Sequence, residues 1–158
     1  MSVPFIDPRL AVFCCFGIII TVCDVREMRI PDPLLVLLAL SLLLCDLIPA
    51  RGNPSVFAGR AALRLPAAFL TFAALYLLYR VKGGIGLGDV KYAAVMAYFN
   101  GAPAIISALL AACLGALAVW GAGALFFRWD AKRRIPFAPF LSAGAVAASL
   151  LSESVLPL

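Results

Sequence analysis

The sequence predicts an all-α polytopic membrane protein, a bundle of about six transmembrane helices. Of its 158 residues, 65% are hydrophobic and 13% are charged, and the mean hydropathy is +1.07. These values lie far outside those of soluble globular domains. Because each crossing takes about 20 residues, roughly six helices fit and a sizeable domain outside the membrane does not. We therefore expect a single membrane-embedded domain over residues 1–158.

Apolar runs define the expected helices: residues 10–23, 34–48, 63–79, 90–99, 104–127 and 137–151. The first and fourth runs are short. Each reaches spanning length only if the adjoining aspartate, Asp24 or Asp89, belongs to the helix end, which places both acids at or slightly below the membrane surface. Prolines lack a helix donor and suit first-turn positions. They mark the breaks between runs at Pro33, Pro54, Pro103 and Pro136.

Basic residues indicate the orientation of the chain, because short loops rich in Lys and Arg stay on the cytoplasmic side. Nine of the 13 lie in alternate loops: Arg26, Arg29, Arg80, Lys82, Lys91, Arg128, Lys132, Arg133 and Arg134. We expect a multi-pass protein of the inner (cytoplasmic) membrane, with its N-terminus outside and Asp24 and Asp89 at the cytoplasmic face. The net charge of +5 is then a topology signal, and no nucleic-acid partner is expected.

The chain contains no histidine, which narrows the possible chemistry. Zinc enzymes, serine triads and cysteine–histidine dyads use histidine as ligand or base, so these classes are disfavoured. The cysteines show no C-x-x-C spacing and lie within apolar runs, as packed or lipid-facing thiols do. They are Cys14, Cys15, Cys23, Cys45 and Cys113. We expect neither a metal ion nor a cofactor.

Carboxylates remain as the groups able to perform acid–base chemistry. Three are expected near outer helix ends and three in basic cytoplasmic loops, solvated or paired with arginines: Asp7, Asp46 and Glu153, then Glu27, Asp32 and Asp130. Asp24 and Asp89 differ, because each adjoins an apolar helix on the same face, where an acid is a functional candidate. Two neighbouring aspartates share a proton, so one can activate water while the other protonates the oxyanion. This pair suits amide hydrolysis.

The segment Gly84-Ile85-Gly86-Leu87-Gly88-Asp89-Val90-Lys91 places alternating glycines before the second acid. Glycine permits unusual backbone angles and close approach, which would let a substrate lie extended beside the helix end. Two structural alternatives remain open: the glycines could only bring helices together, and Asp89 could form an ion pair with Lys91 or Arg80. The spacing lacks the phosphate-loop pattern, so nucleotide binding is not expected.

Three segments resemble the type IV prepilin peptidases, membrane aspartyl proteases of the G-x-G-D class. Residues 86–91, Gly-Leu-Gly-Asp-Val-Lys, resemble the family signature G-x-G-D-x-K. Residues 24–34, which begin at Asp24 and contain Ile-Pro-Asp, are similar to the first-aspartate segment with its Ile-Pro-Asn. Residues 135–141, Ile-Pro-Phe-Ala-Pro-Phe-Leu, are similar to a late Ile-Pro-Phe-Gly-Pro-Phe-Leu element. The three occur in the family's order and cover nearly the whole chain.

The resemblance implies an aspartic endopeptidase that removes the basic leader from prepilins at the cytoplasmic membrane face, just before the hydrophobic pilin helix. Asp24 and Asp89 match the catalytic pair, and Gly86 and Gly88 match the motif glycines, with Gly84 beside them. Lys91 matches the motif lysine, whose expected role is to orient the loop, bias the pair electrostatically or anchor the topology. The implied partners are the prepilin, the lipid bilayer and a pilus assembly system.

Departures from the family pattern refine this expectation. Long bacterial members carry an inserted cytoplasmic domain with two C-x-x-C pairs, associated with methylation, and no such domain occurs in this sequence. The chain therefore resembles the short type that serves Tad or Flp pili. Asp32 replaces the usual Asn and Ala138 the usual Gly, which puts substrate preference in question more than catalysis.

Two functions of other classes remain open on the sequence. A small proton- or cation-coupled transporter could relay ions through the acidic pair, although no internal repeat is evident. A catalytically silent subunit of an assembly is the third possibility, and the presence of both aspartates argues against it.

Overall fold

Six helices follow the six apolar runs, in a computed structural model that describes residues 7–48, 54–127 and 135–155. They are α1 (Pro8–Glu27), α2 (Asp32–Leu47), α3 (Pro54–Lys82), α4 (Leu87–Asn100), α5 (Ala102–Phe127) and α6 (Ala138–Val155). No strand occurs in these residues. The predicted all-α bundle is confirmed. The segment 128–134, with four of the nine basic residues used to predict orientation, lies outside the described part of the chain, and the orientation stays a prediction.

Three helices are long and apolar enough to cross a membrane: Pro8–Glu27, Phe57–Lys82 and Ala104–Phe126. Large apolar side chains on them face outward, among them Leu63, Ile106 and Leu125. In water such a surface would be a liability, whereas lipid tails cover it without cost. α4 has 14 residues and is about 21 Å long, which is less than the roughly 30 Å of a bilayer core. The chain has the character of an integral membrane protein.

Helix starts follow the prolines and caps that the sequence offers. The side chain of Asp7 accepts a hydrogen bond from the Arg9 backbone at 2.9 Å, and Pro8 fills the first turn of α1. α3 differs from its apolar run, because it begins at Pro54, nine residues ahead of residue 63, and contains Pro66. Arginine is a good helix former, so Arg60 interrupts the apolar pattern before residue 63 without ending the helix.

α4 lies at the centre of the bundle and contacts α2, α3, α5 and α6. Half of its residues are buried, including Val90, Tyr92 and Met96. Phe13 of α1 stacks on Phe99 with the ring centroids 4.3 Å apart and lies 6.2 Å from the ring of Tyr92. The helix that carries Asp89 is therefore held from several sides.

α5 and α6 pack through small residues. Ala108 and Ala112 of α5 pack against Gly144 of α6, and both alanines are buried. A methyl group added at Gly144 would meet the Ala108 carbonyl oxygen, so the two backbones approach too closely for any larger residue. Small-residue contacts of this kind hold helices together where lipid removes the hydrophobic driving force.

A buried charge cluster lies at the end of the bundle opposite Asp24. Asp46, only 1% exposed, has Arg64 Nη1 at 2.8 Å and Arg9 Nε at 3.3 Å from its Oδ1. The Tyr98 hydroxyl donates to its Oδ2 at 2.9 Å, and Arg9 also donates to the Phe99 carbonyl. Asp46 was expected near the outer end of the second helix, and the structure adds that it joins α1, α2, α3 and α4 there.

Candidate active site

Asp24 lies one turn before the end of α1, and its carboxylate is buried. Its Oδ2 accepts a hydrogen bond from the backbone N–H of Ala138 at 3.0 Å. Ala138 is the first residue of α6, where backbone N–H groups have no partner within the helix. The late Ile-Pro-Phe-Ala element of the sequence therefore starts α6 against Asp24, and the positive end of α6 stabilises negative charge on this carboxylate.

Asp89 lies in the first turn of α4 and is half-buried. Its side chain and that of Asp24 line the same two cavities, of about 490 and 510 Å³. The first cavity also contains Arg29, Asp32 and Lys91, and the second extends to Ile135, Pro136 and Phe137. The structure thus brings together the two acids that the sequence singled out, from helices 65 positions apart, in a pocket large enough for a peptide segment.

The protonated form of Asp89 is favoured by its surroundings. Asp89 precedes the apolar run of α4 and lies outside the three membrane-length helices. Burial, reinforced by the charge of Asp24, raises the pKa of the Asp89 carboxyl to about 6, while a backbone hydrogen bond from Gly86 acts in the opposite direction. Two carboxylic acids in one pocket with unlike surroundings can take the separate roles of base and acid.

The structure favours glycine at positions 84, 86 and 88 for a different reason at each position. Gly84 adopts a left-handed backbone (φ +84°), which a side chain would strain. A Cβ at Gly86, which caps α4, would lie 2.9 Å from Asp89 Oδ2. A Cβ at Gly88 would lie 3.1 Å from the Ile30 Cβ, so this glycine brings α4 close to the start of α2. Gly84 and Gly86 therefore shape the approach to Asp89, and Gly88 has the helix-packing role that the sequence left open.

Lys91 pairs with Asp32 across the rim of the first cavity, with Nζ 2.7 Å from Oδ2 and 2.8 Å from Oδ1. This carboxylate was expected to be solvated or paired with an arginine, and its partner is instead a lysine from α4. Among the described residues, neither Asp24 nor Asp89 forms an ion pair with Lys91 or Arg80. The two candidate acids are therefore free of the structural salt bridges that would have explained them.

A hydrogen-bonded cluster that sequence reasoning missed lies one turn below the acids. The Tyr92 hydroxyl lies 2.7 Å from Ser142 Oγ, which also lies 3.4 Å from Thr21 Oγ1 and donates to the Ala138 carbonyl. These residues come from α4, α6 and α1, each within one helical turn of Asp89, Ala138 or Asp24. The helical spacing of Tyr92 and Thr21 from the two acids was the available signal.

Within the residues that the structure covers, no group of three or more Cys, Asp or Glu side chains could hold a metal ion. The five cysteines are unpaired thiols in α1, α2 and α5. Asp24 and Asp89 place two carboxyl groups capable of acid–base chemistry in this pocket.

Comparison with known proteins gives the family of the chain. Residues 11–121 match the family described as Type IV leader peptidase family. The chain is also 34% identical, over 92% of its length, to the "Prepilin leader peptidase/N-methyltransferase" of Bacillus subtilis (strain 168). It spans 56% of that relative's length. No solved structure matches the chain. With most of its helices inside the matched region, this chain belongs to the type IV leader peptidase family.

Proposed function

We propose that this protein is a membrane aspartic endopeptidase that removes the basic leader from Flp-like type IV prepilins at the cytoplasmic face of the inner membrane. One observation carries the proposal: Asp24 and Asp89 line one open pocket at the same end of the bundle. The family match supports prepilin processing as the reaction. The proposed unit is a single multi-pass domain over residues 1–158, with its N-terminus outside and a pilus assembly system as the recipient of the product.

The two carboxyl groups divide the chemistry. Asp24 accepts a hydrogen bond from the Ala138 N–H and acts as the base in its ionised form, while Asp89, whose pKa is raised to about 6, acts as the acid in its protonated form. Asp24 takes a proton from water as the water oxygen bonds to the scissile carbonyl carbon, and Asp89 donates its proton to the carbonyl oxygen. When the C–N bond breaks, Asp24 returns its proton to the leaving amine and Asp89 regains its own from the collapsing diol. No net proton is consumed by the pair.

The position of the pair argues against the transport alternative. Asp24 lies three residues before the end of α1, and Asp89 in the first turn of α4. Transport sites built from acidic pairs lie near the middle of the bilayer, where access can alternate between its two faces. A pair at one end of the bundle instead suits a substrate that meets the enzyme at one membrane face.

The test is cleavage of a co-expressed Flp-type prepilin, followed by the shift in pilin size. Asp24→Asn and Asp89→Asn keep the shape of each side chain and remove its acid–base function, so each should abolish the shift. Glu27→Gln is the matched control, because Glu27 is an exposed carboxylate at the end of α1, three residues after Asp24. Cleavage that survives either aspartate change would overturn the proposal.

A further inference from the structure

A third cavity, apolar and of about 560 Å³, adjoins the candidate active site at Asp89. Asp89 lies in its wall together with Gly84 and Ile85 of the loop before α4. From there the cavity extends between helices and is lined by Leu75 of α3 and by Leu109 and Cys113 of α5. It adjoins the second of the two cavities that contain both acids, because the two share the lining residues Gly84, Ile85, Asp89, Ile135 and Phe137.

The two sides of the carboxyl pair differ in chemistry. On one side, the rim of the first cavity carries Arg29, Asp32 and Lys91. Asp32 and Lys91 form an ion pair that is partly exposed. On the other, Asp89 is the only carboxylate among the described lining residues, and the remaining ones are apolar residues, Gly84 and Cys113. A polar peptide segment keeps its hydration on the first side, whereas only apolar side chains gain free energy by entering the second.

We propose that this apolar cavity, which we call the α3–α5 cavity, binds the side chain of the first residue after the scissile bond. The inference rests on the proposed function, in which the substrate is polar and basic before that bond and hydrophobic after it. The charged rim then receives the leader and the α3–α5 cavity receives the start of the hydrophobic helix. The size of the cavity, set by Leu75, Leu109 and Cys113, selects the side chain at that position.

Cys113 offers a direct way to reduce the cavity. It lies on α5 with its side chain at the cavity wall, and Cys113→Trp would fill space that the substrate needs. Cys15→Trp is the matched control, because Cys15 is also an exposed cysteine in a long apolar helix and does not line the cavity. Leu75→Ala has the opposite effect, because the shorter side chain on α3 enlarges the cavity.

The experiment measures kcat/KM for prepilins that carry Ala, Leu, Phe or Trp immediately after the scissile bond. Cys113→Trp should lower the ratio of the Phe to the Ala substrate by about tenfold or more, a loss typical of a pocket too small for its ligand. Leu75→Ala should raise the relative rate for Trp, and Cys15→Trp should leave every ratio unchanged. A ratio is insensitive to the amount of folded enzyme, so a purely structural effect would not produce these shifts.

Three outcomes distinguish the possibilities. Ratios that respond to Cys113→Trp or Leu75→Ala in the stated directions support the α3–α5 cavity as the binding site. If the tryptophan variant does not fold, the response of Leu75→Ala decides. Unchanged ratios in folded variants that still cleave would overturn the inference and leave the peptidase proposal intact. Failure of the wild type to cleave any of the four substrates would instead overturn the proposed function, and the inference with it.

Discussion

Replacing Gly86 by alanine should impair catalysis while leaving the fold nearly unchanged. The added Cβ would lie 2.9 Å from Asp89 Oδ2, so the carboxyl group must move by about 0.5 Å to reach the 3.4 Å of ordinary contact. A displacement of this order at a reacting group costs about 10- to 100-fold in rate. We therefore expect kcat/KM for prepilin cleavage to fall by that factor.

The effect on stability should be small, because two contributions oppose each other. Gly86 has an extended backbone (φ −71°, ψ 140°) that alanine adopts without strain. Losing a glycine from the unfolded chain stabilises the protein by about 0.4–1 kcal/mol. Alanine is a poorer N-cap than glycine, which removes a similar amount from α4. The net change in the free energy of unfolding should stay within about 1 kcal/mol.

The assay combines cleavage kinetics of the purified enzyme in detergent with its unfolding transition. Gly59→Ala is the control, because Gly59 lies within α3 and a Cβ there meets no atom within 4 Å. It should retain wild-type kcat/KM. A Gly86→Ala enzyme that cleaves within twofold of wild type would refute the close approach to Asp89. Unfolding of this variant under conditions where Gly59→Ala is folded would show instead that Gly86 is structural.

Three further predictions follow from other contacts. Asp46→Ala should lower the free energy of unfolding by about 3–5 kcal/mol, because it leaves two arginines without their buried partner. Asp32→Ala should lower it by less than about 1 kcal/mol, because the pair with Lys91 is exposed. Unfolding in detergent measures both changes. Tyr92→Phe should lower kcat while leaving the unfolding transition nearly unchanged, because it removes the hydrogen bond to Ser142, which itself bonds Ala138 beside Asp24. Measuring kcat and the unfolding transition of this variant tests both parts. Cleavage should decline as pH rises through about 6, because Asp89 then loses the proton that it donates. The contribution of this carboxyl group to stability is complete below pH 3.8 and should be lost as pH rises from there through about 6, because its pKa is higher in the folded protein than in the unfolded chain. The pH profiles of kcat and of the unfolding transition measure the two effects.

The number of helices could be predicted from the sequence, and the two candidate acids could be singled out, because both signals are local. Runs of apolar residues separated by prolines give the helices, and an aspartate beside an apolar run is conspicuous wherever it occurs. The start of α3 at Pro54 could not be predicted this way, because residues 54–62 contain Ser55, Gly59 and Arg60 and form no continuous apolar run. Arg64 is stable there since Asp46, 18 residues away, supplies its partner.

The positioning of the site depends on contacts that the sequence does not rank. The Ala138 N–H reaches Asp24 across 114 positions, and the late Ile-Pro-Phe-Ala segment gives no sign of which side chain it will meet. Tyr92 and Ser142 are ordinary residues for a membrane helix, and only the packing of α4 on α6 shows that they join below the acids. Asp32 was expected to be solvated or paired with a neighbouring arginine, yet it pairs with Lys91, which is 59 positions away in the sequence.

The central claim is that Asp24 and Asp89 act as one catalytic unit, and a double-mutant cycle tests it most directly. The measurement is the single-turnover rate of prepilin cleavage by wild type, Asp24→Asn, Asp89→Asn and the double variant, each confirmed as folded. If the pair shares the proton transfers, each single change removes nearly all catalysis and the double variant is no slower than either one. Effects that multiply, or a single variant that keeps a rate near that of the wild type, would contradict the account.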